Sequence, residues 1–447
     1  MQPANRPPTT TLSRAQATAR ETVTGGPTPT VTLAKYPYPY RAMIAICSDL
    51  DETPDRRVYH EIARYLNTTQ TTAIGPGVGL EVGNSIFFLM PGDHFSYFGT
   101  DDAGRDMVRV MIRSGHIDCL HSYGDHAQTR RHVELILTEL DKHGCKLKVW
   151  VDHSKAPTNF GPDIMQGTGD IASSPAYHAD LTSDYGIHYV WRGRTTSITG
   201  QNTALTTGGL TSLLDVRHPF ASAETIAKQA VKIWLGRRSH PKWDMHAANR
   251  VYRTSKLRDG RLVWEFIRSN PYWGGPGFGD TAVKIAAVLT PKMLRTLLRT
   301  EGVCILYTHL GKVRDVQCPF DEGTRLAFGR LAAHHRAGKI QVTTTHRLLR
   351  YLSVRDHVRF EVSRQAQHVL ISIRSVEDPV IGTYRPTMDD LIGLTFVVTH
   401  CDRVTVCLPD GKTVACDVVR TADMTIASVP WRPLLFGAIS DSGVENP

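Results

Sequence analysis

Short apolar runs alternate with longer amphipathic segments along most of the chain. Eight runs have the length of strands, and several are continuously apolar, as in strands covered on both faces. They are 42–47, 85–90, 117–120, 146–151, 186–191, 261–268, 303–307 and 339–344. Helical periodicity, with apolar residues three and four positions apart, is found at 127–143, 281–301 and 321–337. The repeated strand–helix unit predicts an α/β domain, and seven or eight such units predict a (β/α)7–8 barrel at 36–353.

Two regions depart from this alternation. Residues 192–260 form a long insertion with two helical stretches and a basic, aromatic run at 234–243. Long insertions of this kind usually lie on the face of a barrel that carries the active site. After residue 354 the pattern changes to short alternating segments, and Pro409-Asp-Gly411 is a strong hairpin signal. We therefore expect a small all-β domain of antiparallel strands at 354–447.

The ends and the cysteines restrict the class of protein. Residues 1–35 are rich in Thr, Pro, Ala and Arg and lack the apolar core of a signal peptide, which predicts a disordered segment and no export. No run approaches 18 apolar residues, so we expect no transmembrane helix. Eight scattered cysteines without CxxC spacing exclude a zinc finger and are typical of a cytoplasmic protein with reduced thiols.

The formal net charge is +9, which admits nucleic acid, a membrane surface or an acidic glycan as a partner. No compact Lys/Arg run stands out, however. Basic side chains spread over a large surface explain the charge without a dedicated partner, and nucleic acid is disfavoured. The sequence leaves the oligomeric state open.

Charged and imidazole side chains follow six of the predicted strands, at the end where a barrel places its active site. They are Asp49 and Asp51, then His121, Asp125 and His126, then Asp152 and His153, then Arg192, then Arg268 and Asn270, and finally His309. A solvated loop face would also be polar, but it would favour Lys, Glu, Ser and Gly over this many histidines. We interpret this edge as the candidate site.

The order of these motifs resembles the polysaccharide deacetylase (NodB-like) family. That family opens with a strand ending in an Asp pair, continues with Gly-His-Glu-Ile-Gly-x-His and a metal ligand four residues on, and closes with Leu-x-His. The three places hold Cys47-Ser-Asp49-Leu-Asp51, Gly115-His116-Ile-Asp-Cys-Leu-His121 and Leu306-Tyr-Thr-His309. Segment 340–351 is also similar to the family's final strand and helix. The resemblance covers the barrel and neither the N-terminal segment nor the β domain.

The chain departs from the family pattern at three places. Leu50 separates the two aspartates, and the position four after His121 is Asp125, with a histidine one residue later. The family's Arg-x-Pro-Tyr segment is missing, and Trp150-Val-Asp-His153 stands near its expected place. The third metal ligand therefore stays open among Asp125, His153 and His126, in that order.

The resemblance implies a metal-dependent hydrolase that removes an N-acetyl group from a sugar or glycan precursor. It implies Asp49 as the general base and His309 as the general acid. Asp51 and His121 would bind a divalent metal, with zinc as the first choice for such donors. Acids at a strand end can also cap the following helix, and a histidine there can simply satisfy a loop carbonyl.

Five further residues are candidates for substrate binding. Arg192 and Arg268 would bind substrate or orient Asp49 in place of the missing family arginine. Asn270 follows the same strand as Arg268, and the rings of Trp191 and Trp273 would stack on a sugar face. Ordinary salt bridges and core packing are the alternatives for these side chains.

Two other functions remain open at this stage. A glycoside hydrolase on the same barrel would use two carboxylates about 5–10 Å apart, Asp49 and Asp152, without a metal. A catalytically inactive barrel would bind a glycan or serve as a scaffold. Metal dependence separates the first alternative from a deacetylase, and bound metal without turnover would support the second. The missing export signal points to a cytoplasmic substrate such as a nucleotide-linked sugar.

Overall fold

A computed structural model of the protein describes residues 18–19, 30–92, 94–278, 281–365 and 367–437. The chain divides into two compact units. The larger unit comprises residues 42–349 and 433–447, and the smaller comprises residues 1–41 and 350–432. All the candidate site residues belong to the larger unit.

The larger unit is built on a curled sheet of nine strands. In spatial order they are Tyr252–Lys256, Leu262–Phe266, Tyr189–Trp191, Val149–Val151, Ile117–His121, Gly83–Ile86, Ala42–Asp49 and Val303–Thr308, with Ile340–Thr343 also paired to Ala42–Asp49. The first two form an antiparallel hairpin, and every other pairing is parallel. The strand Ala42–Asp49 is buried along its whole length, as its continuous apolar run predicts.

The predicted α/β class is confirmed, and the sheet has the form of a half-barrel. Among the described residues, no strand ladder joins Leu262–Phe266 to Val303–Thr308. The chain at this place forms a two-residue strand, Arg268–Ser269, which pairs with Thr195–Thr196 from the start of the insertion. The backbone groups of Arg268–Ser269, which would otherwise extend the main sheet, therefore pair with the insertion.

Helices connect the strands. They are Arg56–Asn67, Asp102–Arg113, Arg130–Lys142, Ala179–Asp184, Ile285–Val288, Pro291–Thr300, Glu322–Arg336 and Thr345–His357, with Thr207–Thr211, Pro219–Arg237 and Asp244–Ala248 in the insertion. Shorter elements are the strands Thr71–Thr72 and Gly75–Pro76 and the 3-10 helices Pro276–Phe278 and Asp389–Leu391. Ile44 and Ile46 share one buried cluster with Leu294 and Phe328 from two of the helices. Thr290 caps Pro291–Thr300 by accepting from the backbone N–H of Met293.

The smaller unit contains two sheets. One holds Thr18–Ala19, Val358–Gln365, His368–Asp378, Gly382–Tyr384, Arg403–Cys407 and Thr413–Val414, and the other holds Val31–Leu33, Thr395–Thr399, Asp417–Arg420 and Met424–Ser428. The predicted hairpin around Pro409 is confirmed by the antiparallel pairing of Val406 with Val414. The strands are not all antiparallel, because His368–Asp378 runs parallel to Arg403–Cys407. The connection between those two strands crosses to the other sheet, which permits a parallel pair.

The two units divide the chain at 41/42, 349/350 and 432/433. Residues 36–41 therefore group with the smaller unit and residues 433–437 with the larger one, whereas the sequence analysis expected a barrel at 36–353 and a β domain at 354–447. Most of the segment predicted to be disordered, 1–35, lies outside the described residues. Thr18–Ala19 and Val31–Leu33 are described, and each pairs as a strand. Within the described part of the chain, no helix combines the length and apolarity needed to cross a membrane.

Candidate active site

Asp49 ends the strand Ala42–Asp49 and is held by a buried arginine. Nη1 of Arg268 lies 3.2 Å from Oδ2 of Asp49, and Nη2 lies 3.3 Å from Oδ1. The guanidinium stacks over Trp191, 4.6 Å from the ring centroid. Burial alone would raise the pKa of Asp49, but the charge of Arg268, together with the neighbouring imidazoles and the hydrogen bond from Ser85, lowers that pKa well below its ordinary value. Asp49 is therefore a fixed, ionised carboxylate.

Ser85 links Asp49 to His121. Strand register sets Ser85 directly beside Asp49. The hydroxyl of Ser85 donates to Oδ1 of Asp49 at 2.6 Å, so its oxygen accepts from Nδ1 of His121 at 3.1 Å. Burial lowers the pKa of His121 well below its ordinary value and keeps the ring neutral. His121 therefore carries its proton on Nδ1, which leaves the lone pair on Nε2.

Asp51 lies between two other histidines. Its Oδ1 is 3.5 Å from Nε2 of His309, and its Oδ2 is 3.8 Å from Nε2 of His153. Oδ1 is buried and accepts no hydrogen bond from the described residues. Burial raises the pKa of Asp51, whereas that of Asp49 is lowered. Two neighbouring carboxylates with opposite shifts are typical of sites that divide acid, base and ligand roles.

Asp125 orients His153. Its Oδ1 lies 2.9 Å from Nδ1 of His153, so the other ring nitrogen, Nε2, faces Asp51. Burial would lower the pKa of His153, but the hydrogen bond to Asp125 and the charges of the surrounding carboxylates together raise it. A carboxylate behind the far nitrogen is the usual support of a metal-binding histidine. The sequence ranked Asp125 above His153 as a ligand, but the geometry puts His153 toward Asp51. His126 is exposed.

A strained turn separates His121 from Asp125. Ser122, Tyr123 and Gly124 have φ values of 50°, 60° and 103°. Only glycine fits the last position, because a Cβ there would lie 2.1 Å from the backbone oxygen of Leu89. Backbone strain of this kind is found mainly where a structure fixes a functional side chain. Here the turn carries Asp125 to His153.

The carboxylate and imidazole groups at this edge are of the chemical types that bind a divalent metal. Asp51 offers a buried carboxylate oxygen that accepts no hydrogen bond within the described part of the chain, and His121 and His153, with ring centroids 4.9 Å apart, offer imidazoles. Such a mixed oxygen and nitrogen set is suited to zinc. Among the described residues, however, no three His, Cys, Asp or Glu side chains already have the arrangement of a metal site. Metal binding therefore stays a prediction, and it requires movement of at least one side chain.

The predicted substrate residues are mostly occupied by protein contacts. Arg192 is bound to Glu265, with Nη2 3.0 Å from Oε2, and Trp191 lies buried beneath Arg268. Asn270 is buried and donates to the carbonyl of Pro276 at 3.2 Å. Trp273 is partly exposed and stacks on His218, with 3.8 Å between centroids. Of the proposed roles, orientation of Asp49 fits Arg268.

Asp152, the second carboxylate of the glycosidase alternative, is completely buried. Its Oδ1 accepts from Nε1 of Trp150 at 2.6 Å and from the backbone N–H of Phe160 at 2.8 Å. Burial raises the pKa of Asp152 to about 7. Through these hydrogen bonds Asp152 stabilises the loop that follows its strand.

Three contacting residues were missed by the sequence reasoning. They are Ser85, Phe87, which stacks on His121 at 4.1 Å between centroids, and Cys47, whose Sγ accepts from Arg268 at 3.4 Å. Ser85 had a usable signal, since it is a hydroxyl within a buried strand next to the one that carries Asp49. Phe87 and Cys47 had none, because apolar residues are expected in buried strands.

No protein-family model, curated protein or solved structure matches this chain. The function must therefore be argued from the geometry of the site.

Proposed function

We propose that the protein is a metal-dependent hydrolase that removes an N-acetyl group from a sugar or glycan precursor. The observation that carries the proposal is the convergence of Asp49, Asp51, His121, His153 and His309 at one edge of the sheet. Within it, Asp51 has His309 on one oxygen and His153 on the other, at 3.5 and 3.8 Å. This supports the roles expected from the resemblance to polysaccharide deacetylases.

The metal would be held by Asp51, His121 and His153. His121 has its Nε2 lone pair available because Ser85 occupies Nδ1. His153 has its Nδ1 bound to Asp125, as a ligand of this kind requires. A divalent ion bound there would lower the pKa of a water molecule and polarise the acyl carbonyl.

Asp49 is the proposed general base. It is ionised at neutral pH, because Arg268 lowers its pKa, and its two oxygens are fixed by Arg268 and Ser85. It would accept the proton of the attacking water. Arg268 acts as a positioning residue here, since it binds Asp49 and is buried away from solvent.

His309 is the proposed general acid. Its Nε2 lies 3.5 Å from Asp51, and its side chain is 16% exposed, so it can reach a bound molecule. It would donate a proton to the leaving nitrogen as the C–N bond breaks.

The finer features of the fold belong to the same proposal. The half-barrel would be a divergent (β/α)7–8 barrel, with side-chain contacts across the seam that strand pairing leaves open. One such contact is the hydrogen bond from Ser269 Oγ to the carbonyl of Ile305, at 3.4 Å. The substrate would be a cytoplasmic N-acetylated sugar or glycan precursor.

Acetate release from a panel of N-acetylated sugars tests the proposal. We expect release that is abolished by a chelator and restored by zinc. Asp49→Asn and His309→Ala should each lower kcat by roughly 100-fold or more, the usual effect of losing a general acid or base. His126→Ala removes a nearby exposed imidazole and is the matched control, with kcat expected within about twofold of the parent.

Two results would contradict the proposal. Full activity in His309→Ala would remove the assigned acid. Hydrolysis of a glycosidic bond that persists in chelator would instead indicate a metal-independent glycoside hydrolase.

A further inference from the structure

The helix Pro219–Arg237 of the insertion, here called the insertion helix, buries a side that is largely polar. Ser222, Thr225 and Gln229 are buried there, together with Ile233 and Gly236 near the end of the helix. The hydroxyl of Thr225 donates to the carbonyl of Trp273 at 2.7 Å, and Gln229 accepts from Thr196 at 3.2 Å. These polar side chains are buried because they satisfy groups around the short strand pair that carries Arg268.

The opposite side of the insertion helix is apolar and exposed. Phe220 is 88% exposed, Val231 is 54% exposed and Trp234 is 50% exposed. Ala223, Ala227 and Ala230 are exposed between them. The spacing of three and four residues sets all six on one stripe. Scattered apolar residues on a surface are ordinary, but a stripe of apolar residues exposed along one side of a helix indicates a binding surface.

A basic groove lies beside the segment that leads into the insertion helix. It is a cavity of about 570 Å³ lined by Lys292, Arg295 and Arg299 from one helix and by Thr211 and Ser212 at the end of another. No carboxylate occurs among the described residues that line it. Arg295 and Arg299 are exposed and have no ion pair or hydrogen bond within the described part of the chain. The groove is therefore suited to phosphate groups.

The other end of the insertion helix is also basic. The guanidinium of Arg238 lies 4.0 Å from the ring centroid of Trp234, and Nζ of Lys242 lies 5.1 Å from that of Trp243. Residues 207–243 contain six basic and two acidic residues. One of the acids, Glu224, is paired with Lys228 at 2.6 Å. Aromatic rings beside Lys and Arg are typical of segments at a lipid interface.

We propose that this face of the larger unit binds the surface of an anionic lipid bilayer. The apolar stripe enters the boundary between headgroups and acyl chains, and the basic residues at both ends contact lipid phosphates. The charge distribution favours this occupant over a second copy of the chain, since pairing two such stripes would bring basic ends close together. This inference goes beyond the hydrolase activity and does not depend on it.

Co-sedimentation with lipid vesicles tests the proposal with the full chain. The probes are vesicles of phosphatidylcholine alone and of phosphatidylcholine mixed equally with phosphatidylglycerol. We expect binding to the mixed vesicles, weakened by high salt, and little binding to the neutral vesicles. Phe220→Ser/Trp234→Ser and Arg295→Ala/Arg299→Ala should each lower the partition coefficient by roughly tenfold or more.

Matched controls come from another helix of the same unit and from its end. Leu326→Ser removes an apolar side chain that is 58% exposed, and Arg325→Ala/Lys339→Ala removes two exposed basic ones. Both controls should bind vesicles within about twofold of the parent. Circular dichroism and thermal unfolding, expected to match the parent, verify that the variants are folded.

Four outcomes would overturn the proposal, three of them in the vesicle assay. The three are equal binding to both kinds of vesicle, no binding of the parent, and binding that survives the Phe220→Ser/Trp234→Ser change in folded protein. Light scattering that shows a dimer in the parent and a monomer in that variant would assign the stripe to a second copy and would also overturn it.

Discussion

Removal of Arg268 is expected to destabilise the larger unit through Asp49. The pair is almost completely buried, with Arg268 1% and Asp49 4% exposed, and its two N–O distances are 3.2 and 3.3 Å. Arg268→Met keeps an unbranched chain and leaves Asp49 as a buried charge with Ser85 as its nearest donor. Loss of one partner of a buried ion pair costs about 3–5 kcal/mol.

The coupling between the two side chains distinguishes this cause from a packing defect. Asp49→Asn alone leaves the guanidinium buried without its counter-charge and should cost a similar amount. The double variant Asp49→Asn/Arg268→Met removes both charges, so its loss should be smaller than the sum of the single losses by about 2–3 kcal/mol. The two stacking rings, Trp191 and Tyr307, remain in every variant.

Urea unfolding followed by tryptophan fluorescence measures these differences. Six of the seven tryptophans belong to the larger unit, so the signal reports mainly on it. The four free energies of unfolding, for the parent, the two single variants and the double variant, give the coupling. If the losses simply add, the pair does not hold the site in the way described, and Arg268 acts only through packing.

Three further predictions concern neighbouring features. Glu265→Gln should lower the free energy of unfolding by about 3–5 kcal/mol at pH 7, because it removes one partner of a buried ion-pair cluster. Burial would raise the pKa of Glu265, but the charges of Arg192, Arg194 and Arg253 lower it to about 2. This loss should shrink as the pH falls from about 4.5 toward 2, where the parent's glutamate also becomes protonated. The control Glu224→Gln, at an exposed position, should change the free energy of unfolding little. A loss that is independent of pH in urea unfolding would contradict the electrostatic cause. Gly124→Ala should lower the melting temperature far more than Gly144→Ala, since both positions have positive φ but only Gly124 lacks room for a Cβ; equal shifts would show that the contact with Leu89 is unimportant. Asp125→Asn should weaken zinc binding by roughly 10–100-fold in calorimetry, and unchanged affinity would mean that Asp125 does not support His153.

Much of the larger unit could be predicted because its strands are buried on both faces. Ala42–Asp49 shows this most clearly, since its apolar run is continuous and its polar end is abrupt. The strand expected at 85–90 instead occupies Gly83–Ile86. Phe87–Met90 leaves the sheet, where the N–H of Leu89 bonds to the carbonyl of Tyr123 at 2.9 Å. Burial of a loop and burial of a strand give the same apolar pattern, so the sequence could not separate them.

The open side of the half-barrel could not have been predicted. It depends on the pairing of Thr195–Thr196 with Arg268–Ser269, more than 70 residues apart in the chain. Two-residue strands have no periodicity of their own. Long-range pairing of this kind decides the topology without any local signal.

Part of the candidate site could be predicted from the order of the strands. Parallel strands end at one edge, so the positions of Asp49, His121 and His309 after the first, third and seventh predicted strands indicated that they would meet. The relative positions of Asp125 and His153 could not be predicted from the sequence, because they depend on three consecutive positive φ values after His121. Only the glycine among those residues has a sequence preference for that conformation.

The content of zinc in the purified protein tests the central proposal most directly. Protein stripped with a chelator, incubated with excess zinc and passed through a desalting column should retain about one zinc per chain by elemental analysis. Asp51→Ala and His121→Ala should each retain almost none, while His126→Ala should retain as much as the parent. A parent protein that retains no zinc or other divalent ion would contradict the account of a metal-dependent hydrolase.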